Sequence, residues 1–250
     1  MFLKIKGGKV KCIILAAGKG KRLLSEKFQL PKALRKLGNR PILSYVLDNI
    51  HFIEKKDIVI VIGFMGEKVI EEIGDEYNYV WQKEQLGTGH AVMMAKDYFD
   101  SDINLILMGD MPFIKSNTIE KFIDYHKKSE NNLSILTVQG NEKSSFGRII
   151  RNSEGLIEKI VEVKDASPEE KKITELNTGI MIIDKKALAL LDELKTDNAQ
   201  KEYYLTDLVK LAKDNKYKSG GFKVNDEIEF FGINTLEDLE FAENYIKNIK

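Results

Sequence analysis

The sequence predicts an α/β fold with a mixed, mostly parallel β-sheet that is flanked by helices. Short apolar runs typical of buried strands occur at residues 12–16, 58–62, 105–108 and 133–138. Longer segments with helical spacing of apolar residues separate them, at 42–53, 89–98 and 116–128. Strand and helix therefore alternate, which is typical of parallel sheets with right-handed crossovers. Gly18, Gly63 and Gly109 fall at or just past strand ends, so we expect them to converge on one crevice.

The second half of the chain has a different pattern of apolar residues. Its apolar runs are shorter and more polar, and they predict strands of an antiparallel or mixed portion at residues 146–151, 157–164 and 178–183. Residues 165–172 are charged and contain Pro168. This composition predicts a surface loop or a short helix, and the segment is our candidate for a lid over the site. Residues 235–250 predict a C-terminal helix with Thr235 as its N-cap. We interpret residues 1–250 as one domain with a smaller second lobe.

The charge balance argues against a polynucleotide partner. Lys+Arg and Asp+Glu both number 39, so there is no net field to attract nucleic acid, and any anion site must be local. No apolar run approaches the ~18 residues that a membrane helix needs. The first ten residues are too polar for a signal peptide, so no membrane association is expected.

The cysteine and histidine content excludes an intrachain disulfide and a zinc site. Cys12 is the single cysteine, which favours a buried structural thiol and a reduced, cytoplasmic setting. His51, His90 and His126 have no metal-site spacing and no cysteine partner, so a zinc site is excluded. His90 is expected to pack rather than to catalyse.

A basic glycine loop follows the first apolar run. It reads GKGKR over residues 18–22, and Lys32 follows ten residues after Arg22. Glycines let the backbone curl around an anion, and Lys and Arg supply charge for several phosphate oxygens. The loop is neither a Walker loop nor the G-x-G-x-x-G dinucleotide fingerprint. It predicts a nucleoside triphosphate site, with a basic surface turn as the alternative.

Nine motifs in order make the chain resemble the sugar nucleotidyltransferase family. They read LAAGKGKR, PKAL, QKEQLGTGHAV, GDMPF, FGRIIR, VEVKDAS, ELNTGI, NAQKEYYLTDL and GIN, within about residues 11–242. The likeness is to the pyrophosphorylase (uridylyltransferase) domain of the bifunctional enzymes that make UDP-N-acetylglucosamine. It implies a Rossmann-like nucleotidyltransferase fold, with a nucleotide-binding half at about 10–115, a sugar-binding half at about 116–234 and the helix at 235–250.

The resemblance also implies how the nucleotide binds. Arg22 and Lys32 are expected to be catalytic and to bind the β- and γ-phosphates that leave. The nucleotide site is expected to comprise Leu15, Ala16, Ala17, Gly18, Gly20, Gln82, Gln85, Gly87 and Thr88. A glutamine amide both donates and accepts, which suits an imide-bearing base such as uracil.

The metal and sugar sites follow from the same resemblance. Asp110 and Asn234 are expected to bind Mg²⁺, which takes few protein oxygens together with waters and phosphates. Gly147, Glu162, Asn177 and Thr178 match the sugar-site positions. Residues 198–207 match a segment bordering the sugar pocket, and no individual role is assigned to them.

The implied reaction is UMP transfer from UTP to N-acetylglucosamine 1-phosphate, by Mg²⁺-dependent in-line displacement, in a cytoplasmic route to a cell-wall precursor. Two alternatives stay open: a related nucleotidyltransferase for another base or sugar (glucose 1-phosphate or N-acetylgalactosamine 1-phosphate), and a non-catalytic nucleotide-sugar-binding regulator. Three features depart from the family pattern. Lys21 stands where threonine is usual, and Met108 stands where tyrosine is common. The segment Leu23–Leu30 is about three residues longer than usual.

A fourth departure concerns the acetyltransferase β-helix domain. The 250 residues contain no hexapeptide repeats, so this domain is not expected among them; another protein then supplies N-acetylglucosamine 1-phosphate, the substrate differs, or the chain is an excised domain. We therefore expect that this chain does not acetylate glucosamine 1-phosphate. Because the missing part largely holds the family trimers together, the sequence leaves the oligomeric state open.

Overall fold

A computed structural model describes residues 9–248. The strands are β1 Val10–Leu15, β2 Lys36–Leu37, β3 Arg40–Pro41, β4 Ile58–Ile62, β5 Asn78–Trp81, β6 Ile103–Met108, β7 Leu133–Gln139, β8 Arg148–Arg151, β9 Ile157–Val161, β10 Glu175–Ile183 and β11 Ser219–Val224. The α-helices are α1 Ser25–Phe28, α2 Ile42–Asp48, α3 Gly66–Ile73, α4 Thr88–Met94, α5 Ser116–Ser129, α6 Pro168–Lys171, α7 Asp207–Asp214 and α8 Leu236–Asn248.

One mixed sheet of nine strands forms the centre of the molecule. Seven strands follow the order β11-β7-β10-β6-β1-β4-β5, and β10 alone in this path runs antiparallel to its neighbours. The β8–β9 hairpin joins this path through the pairing of Leu176 with Arg148. The expected mixed, mostly parallel sheet flanked by helices is confirmed. Our assignment of a single domain with two halves stays a prediction.

Helices cover both faces of the sheet, and β1 shows how. Cys12 and Ile14 pack into one apolar core, Ile13 packs into the other, and all three are fully buried. Successive side chains of a strand point to opposite faces, so a strand covered on both sides must be continuously apolar. Cys12 is the buried structural thiol that the sequence predicts, and burial raises its pKa.

Two predicted helices are shorter than expected. The helix expected over 42–53 ends at Asp48, because the chain then turns so that Ile50 and Ile53 are buried. The one expected over 89–98 begins at Thr88 and stops at Met94, and a 3-10 turn, Lys96–Tyr98, follows it. In both cases tertiary burial outweighs a continuous helical pattern.

The second lobe matches the predicted strands, with shifted limits. β8 begins at Arg148, β9 ends at Val161, and β10 starts earlier, at Glu175, with a bulge between Asn177 and Met181. The charged segment 165–172 contains the short helix α6, and Ser167 and Glu170 form a capping box at its start.

The C-terminal helix begins as predicted. The Thr235 hydroxyl accepts from the Asp238 N–H at 3.1 Å, and the Asp238 carboxylate accepts from the Thr235 N–H at 2.8 Å. The helix extends to Asn248, and residues 249 and 250 of the prediction lie outside the described residues. Within 9–248 no helix is long and apolar enough to cross a membrane.

Candidate active site

Two cavities meet at the carboxyl ends of β1 and β6. The smaller has a volume of about 230 Å³ and the larger of about 1120 Å³. Thr88, Met108 and Asp110 line both, so these residues form the junction between the cavities. The carboxyl edge of the central strands is where ligands bind in open α/β sheets.

The smaller cavity collects most of the predicted nucleotide residues. It is lined by Leu15, Ala16, Ala17, Gly18, Gln82, Gln85, Gly87 and Thr88, and also by Lys32. The strand ends converge as expected, since the Gly109 N–H donates to the Leu15 carbonyl at 3.0 Å. A Cβ at Gly63 would lie 2.7 Å from the Ala17 carbonyl oxygen, so this close approach requires glycine.

The glycine loop presents unpaired donors. In the described part of the chain, none of the backbone N–H groups of residues 17–22 donates a hydrogen bond. Lys19, Lys21 and Arg22 form no ion pair with any residue between 9 and 248. Consecutive free N–H groups beside unpaired cations form an anion-binding concavity. Arg22 is exposed and lines the larger cavity.

Gly20 supports this loop from behind and does not line either cavity. Its φ of +62° favours glycine, and a Cβ there would lie 2.6 Å from the Ser25 hydroxyl and 2.9 Å from the Lys32 Cβ. Ser25 is fully buried, and its hydroxyl has no hydrogen-bond partner among the described residues. Gly20 therefore brings the loop close to α1 and to Lys32.

The two glutamines are oriented by their neighbours. The Gln82 amide nitrogen donates to the Gly87 carbonyl at 3.0 Å and lies 3.1 Å from His90 Nδ1. The Gln85 side-chain nitrogen donates to the backbone carbonyl of Gln82 at 3.3 Å. The side-chain oxygen of Gln85, Oε1, is buried without a partner in the described region. His90 stacks on Tyr203 at a centroid distance of 6.2 Å, in line with a packing role.

Residues 198–207 clamp the loop that carries Gly87 and Thr88. The Tyr203 N–H donates to the Leu86 carbonyl at 2.8 Å, and the Tyr203 carbonyl accepts from the Gly89 N–H at 2.8 Å. Gly87 has a φ of +108°, and a Cβ there would lie 2.6 Å from the Tyr203 carbonyl oxygen. The glycine is therefore required both by its conformation and by this contact.

Lys32 joins the two predicted metal ligands. Its ammonium donates to Asp110 Oδ2 and, at 2.8 Å, to Asn234 Oδ1. Asp110 Oδ1 is buried and has no donor among the described residues. Carboxylate and amide oxygens facing one cation suit a hard divalent ion, so these residues fit Mg²⁺. Between residues 9 and 248 there is no cluster of three or more His, Cys, Asp or Glu residues that could hold a metal without other ligands.

The larger cavity has both polar and apolar walls, and it collects the predicted sugar residues, Gly147, Glu162, Asn177 and Thr178, together with Asn234. The Thr206 hydroxyl donates to Glu162 Oε1 at 3.1 Å, and burial raises the pKa of this carboxyl group. Asn177 accepts from the Gly179 N–H at 3.1 Å through Oδ1. The Thr178 hydroxyl is already committed, since it donates to the Leu136 carbonyl at 2.7 Å.

Sequence reasoning missed two features of the site. Glu202 lines the smaller cavity, although its motif, residues 198–207, was recognised without a residue role. Arg148 lies directly behind the larger cavity and is 1% exposed. The only sequence signal for it was its place after Gly147 in FGRIIR, where strand alternation does not distinguish a buried arginine from an exposed one.

The segment 165–172 is attached to its surroundings at both ends. Asp165 accepts from the Ala199 N–H at 2.8 Å and from the Tyr204 hydroxyl at 3.1 Å. The Lys171 carbonyl accepts from Arg148 Nε at 3.3 Å. Its role as a lid stays a prediction.

Fold and site together define an α/β protein with an anion cradle at the carboxyl edge of its sheet and a second, larger cavity beside it. The family model for nucleotidyl transferases matches residues 11–230, so the chain belongs to the nucleotidyl transferase family. The resemblance drawn from the nine motifs is thereby confirmed.

Curated relatives and a solved structure agree with this family. The chain is 41% identical over 237 residues to the bifunctional protein GlmU of Caldanaerobacter subterraneus subsp. tengcongensis, covering 94% of the chain and 51% of the relative. It is 41% identical over 236 residues to that of Alkaliphilus oremlandii, with the same shares covered. The chain thus spans about half the length of these relatives. A UDP-glucose pyrophosphorylase complexed with UDP-glucose has the same fold, with a TM-score of 0.75 at 19% identity, covering 97% of this chain and 100% of the other.

Proposed function

We propose that the protein transfers UMP from UTP to N-acetylglucosamine 1-phosphate, giving UDP-N-acetylglucosamine and pyrophosphate. The observation that carries this proposal is the meeting of the two cavities at Asp110, with the anion cradle on one side and polar, hydroxyl-binding groups on the other. The likeness to bifunctional GlmU proteins over most of the chain supports it.

The loop of residues 17–22 is suited to the triphosphate. Its free N–H groups can donate to phosphate oxygens while Arg22 and Lys32 supply positive charge. Negative charge grows on the departing pyrophosphate during the reaction, so cations placed there stabilise the transition state more than the ground state.

The two glutamines favour uracil as the base. The side-chain nitrogen of Gln82 contacts the Gly87 carbonyl and the His90 ring, and the side-chain nitrogen of Gln85 donates to the backbone carbonyl of Gln82. The side-chain carbonyl oxygens of both glutamines are therefore left as acceptors. The imide of uracil offers an N–H donor to such an acceptor, whereas the ring nitrogen at the same position of cytosine is itself an acceptor. UTP is therefore preferred over CTP.

Asp110 and Asn234 would hold the magnesium ion. When bound, Mg²⁺ neutralises phosphate charge and favours the departure of pyrophosphate. The unpaired Asp110 Oδ1 supports this assignment, because a buried carboxylate oxygen without a donor is costly unless a cation satisfies it.

The chain needs no general base. The sugar phosphate has a second pKa near ~6, so its attacking oxygen is ionised at neutral pH. That oxygen displaces pyrophosphate at the α-phosphorus in line, and the protein contributes positioning and charge. Glu162 can accept from sugar hydroxyls, the Asn177 amide nitrogen can donate, and Gly147 leaves room for the acetamido group.

We place this reaction in the cytoplasm, in agreement with the free and fully buried thiol of Cys12. The test is pyrophosphate release with UTP, N-acetylglucosamine 1-phosphate and Mg²⁺. Parallel samples contain CTP, glucose 1-phosphate or N-acetylgalactosamine 1-phosphate, or no metal. Metal-dependent release confined to UTP and the N-acetylglucosamine phosphate supports the proposal. Release only with another pair, or none while UDP-sugar still binds, overturns it.

A further inference from the structure

Arg148 is a buried cation without a carboxylate partner. It is among the largest fully buried side chains, with 1% of its surface exposed, and it forms no ion pair within residues 9–248. Burying a charge that forms no ion pair is costly, so its hydrogen bonds must replace the lost water. Burial lowers the pKa of the guanidinium group, the charge of the exposed Glu142 opposes this shift, and arginine remains charged.

Four backbone carbonyls take the place of a counter-ion. The Arg148 guanidinium donates to the carbonyls of Glu142 at 2.8 Å, Ser144 at 3.0 Å and Phe146, and to that of Lys171 at 3.3 Å. The first three belong to one loop, residues 141–147, which we call the wall loop. The fourth is at the end of α6.

The wall loop forms one side of the larger cavity. Every residue of the loop except Glu142 lines it, and Gly147 fixes the end of the loop by accepting from the Asn177 N–H at 2.9 Å. The segment that leads to α6 contributes Glu162 and Lys164 to the same cavity. Through its four bonds, Arg148 therefore connects the wall loop to the end of α6, and three carbonyls of the loop are bound by a side chain that does not line the cavity.

We propose that Arg148 is a positioning residue for the sugar 1-phosphate, which it serves by holding the wall loop in its binding conformation. This inference rests on the proposed function. The planar fork of arginine spreads five donors over three nitrogens in a fixed geometry that can reach four separate carbonyls, whereas the three donors of lysine all sit on a single nitrogen. Arg148 does not line either cavity, so it acts through the loop.

Arg151 offers a matched control on the same strand. It is an arginine three residues further on, it pairs with Glu175 through two bonds of 2.6 and 2.8 Å, and it makes no bond to the wall loop. Arg151→Met therefore removes a partly exposed ion pair without loosening the loop. Arg148→Met and Arg148→Lys test the loop itself, the latter with the charge retained.

The experiment measures KM for each substrate in the four proteins. We expect Arg148→Met to raise KM for the sugar 1-phosphate by about tenfold, as expected from the loss of several charge-assisted bonds, with KM for UTP changed less than about twofold. Arg148→Lys should recover part of the loss, and Arg151→Met should resemble the wild type. Equal increases for both substrates, or no increase for the sugar phosphate, would overturn the inference.

Amide hydrogen exchange separates this inference from the proposed function. Exchange in the wall loop of the nucleotide-free protein should become faster in Arg148→Met and stay unchanged in Arg151→Met. If Arg148→Met does not fold, Arg148→Lys serves for both measurements. A wild type inactive with every sugar phosphate refutes the proposed function, whereas an active wild type with unchanged exchange in the Arg148 variants refutes the role of Arg148.

Discussion

The two loops that face the junction at Asp110 are built in opposite ways. The glycine loop, residues 17–22, leaves its N–H groups and its three cations without hydrogen-bond or ion-pair partners among residues 9–248. The wall loop, residues 141–147, has three of its carbonyls bound by one buried guanidinium. The comparison teaches that the loop proposed to bind the triphosphate keeps its donors unpaired, whereas the loop beside the proposed sugar site has its shape fixed by bonds within the protein.

The largest effect is expected from removing the unpaired charge of Arg22. Arg22→Ala should lower kcat by about 100-fold or more, as when a single transition-state donor is lost, while UDP-sugar binding measured by calorimetry survives. Lys27→Ala, which removes an exposed cation of α1 that lines neither cavity, is the control and should stay within about twofold of the wild type, as exposed charges contribute little. A rate for Arg22→Ala within about twofold of the wild type would show that the assignment of Arg22 is wrong.

Unlike the three cations of the glycine loop, Lys32 has partners in the protein. Its removal therefore tests whether a paired cation acts differently from the unpaired ones. Lys32→Met should lower turnover but tighten Mn²⁺ binding to the nucleotide-free protein by about tenfold, because its ammonium and the metal compete for the same oxygens. Free Mn²⁺ can be followed by electron paramagnetic resonance. Lys36→Met removes an exposed lysine as the control, and weaker Mn²⁺ binding to Lys32→Met would contradict the competition.

The open architecture of the glycine loop depends on Gly20 rather than on Gly18. Gly20→Ala should destabilise the protein by about 1–2 kcal/mol, since its left-handed backbone disfavours a side chain and the new Cβ meets Ser25. Nothing lies within 4 Å of a Cβ at Gly18, so Gly18→Ala is the matched control. Urea unfolding measures both, and equal stability of the two variants would disprove this account of the loop.

The smallest effect concerns the buried carboxylate on the sugar side. Because burial raises the pKa of Glu162, the group becomes protonated at a higher pH than an exposed glutamate does. As the pH falls through this raised pKa, Glu162 loses its ability to accept from sugar hydroxyls, so KM for the sugar phosphate should rise a few-fold while KM for UTP stays flat. Because the sugar phosphate itself titrates near pH ~6, Glu162→Gln should retain only the pH dependence of the substrate, and identical pH profiles of the variant and the wild type would show that Glu162 contributes nothing to it.

The sequence revealed those parts of the molecule that follow from local patterns. The buried strands β1, β4, β6 and β7 were predictable because most of their residues are apolar and occur in short runs. The edge strand β11 was not predicted, because its two glycines weaken any strand pattern. Motif order singled out the candidate ligand residues, although Lys32 and Asn234 are 202 positions apart and only the fold brings them together.

Arg148 shows why the remainder could not be read from the sequence. Its burial is determined by carbonyls, which every residue has, so no residue type marks its partners. The unpaired Ser25 hydroxyl is similar, since its burial depends on how closely Gly20 approaches. Such features depend on tertiary packing rather than on residue spacing.

The central claim is that a sugar phosphate oxygen attacks the α-phosphorus of UTP at the junction of the two cavities. The most direct measurement is ³¹P NMR of the reaction with N-acetylglucosamine 1-phosphate labelled with ¹⁸O in its non-bridging phosphate oxygens. The account predicts UDP-N-acetylglucosamine with ¹⁸O in the bridge between its two phosphorus atoms, and pyrophosphate without label. Label in pyrophosphate or in inorganic phosphate, or UTP cleavage without formation of the sugar nucleotide, would contradict it.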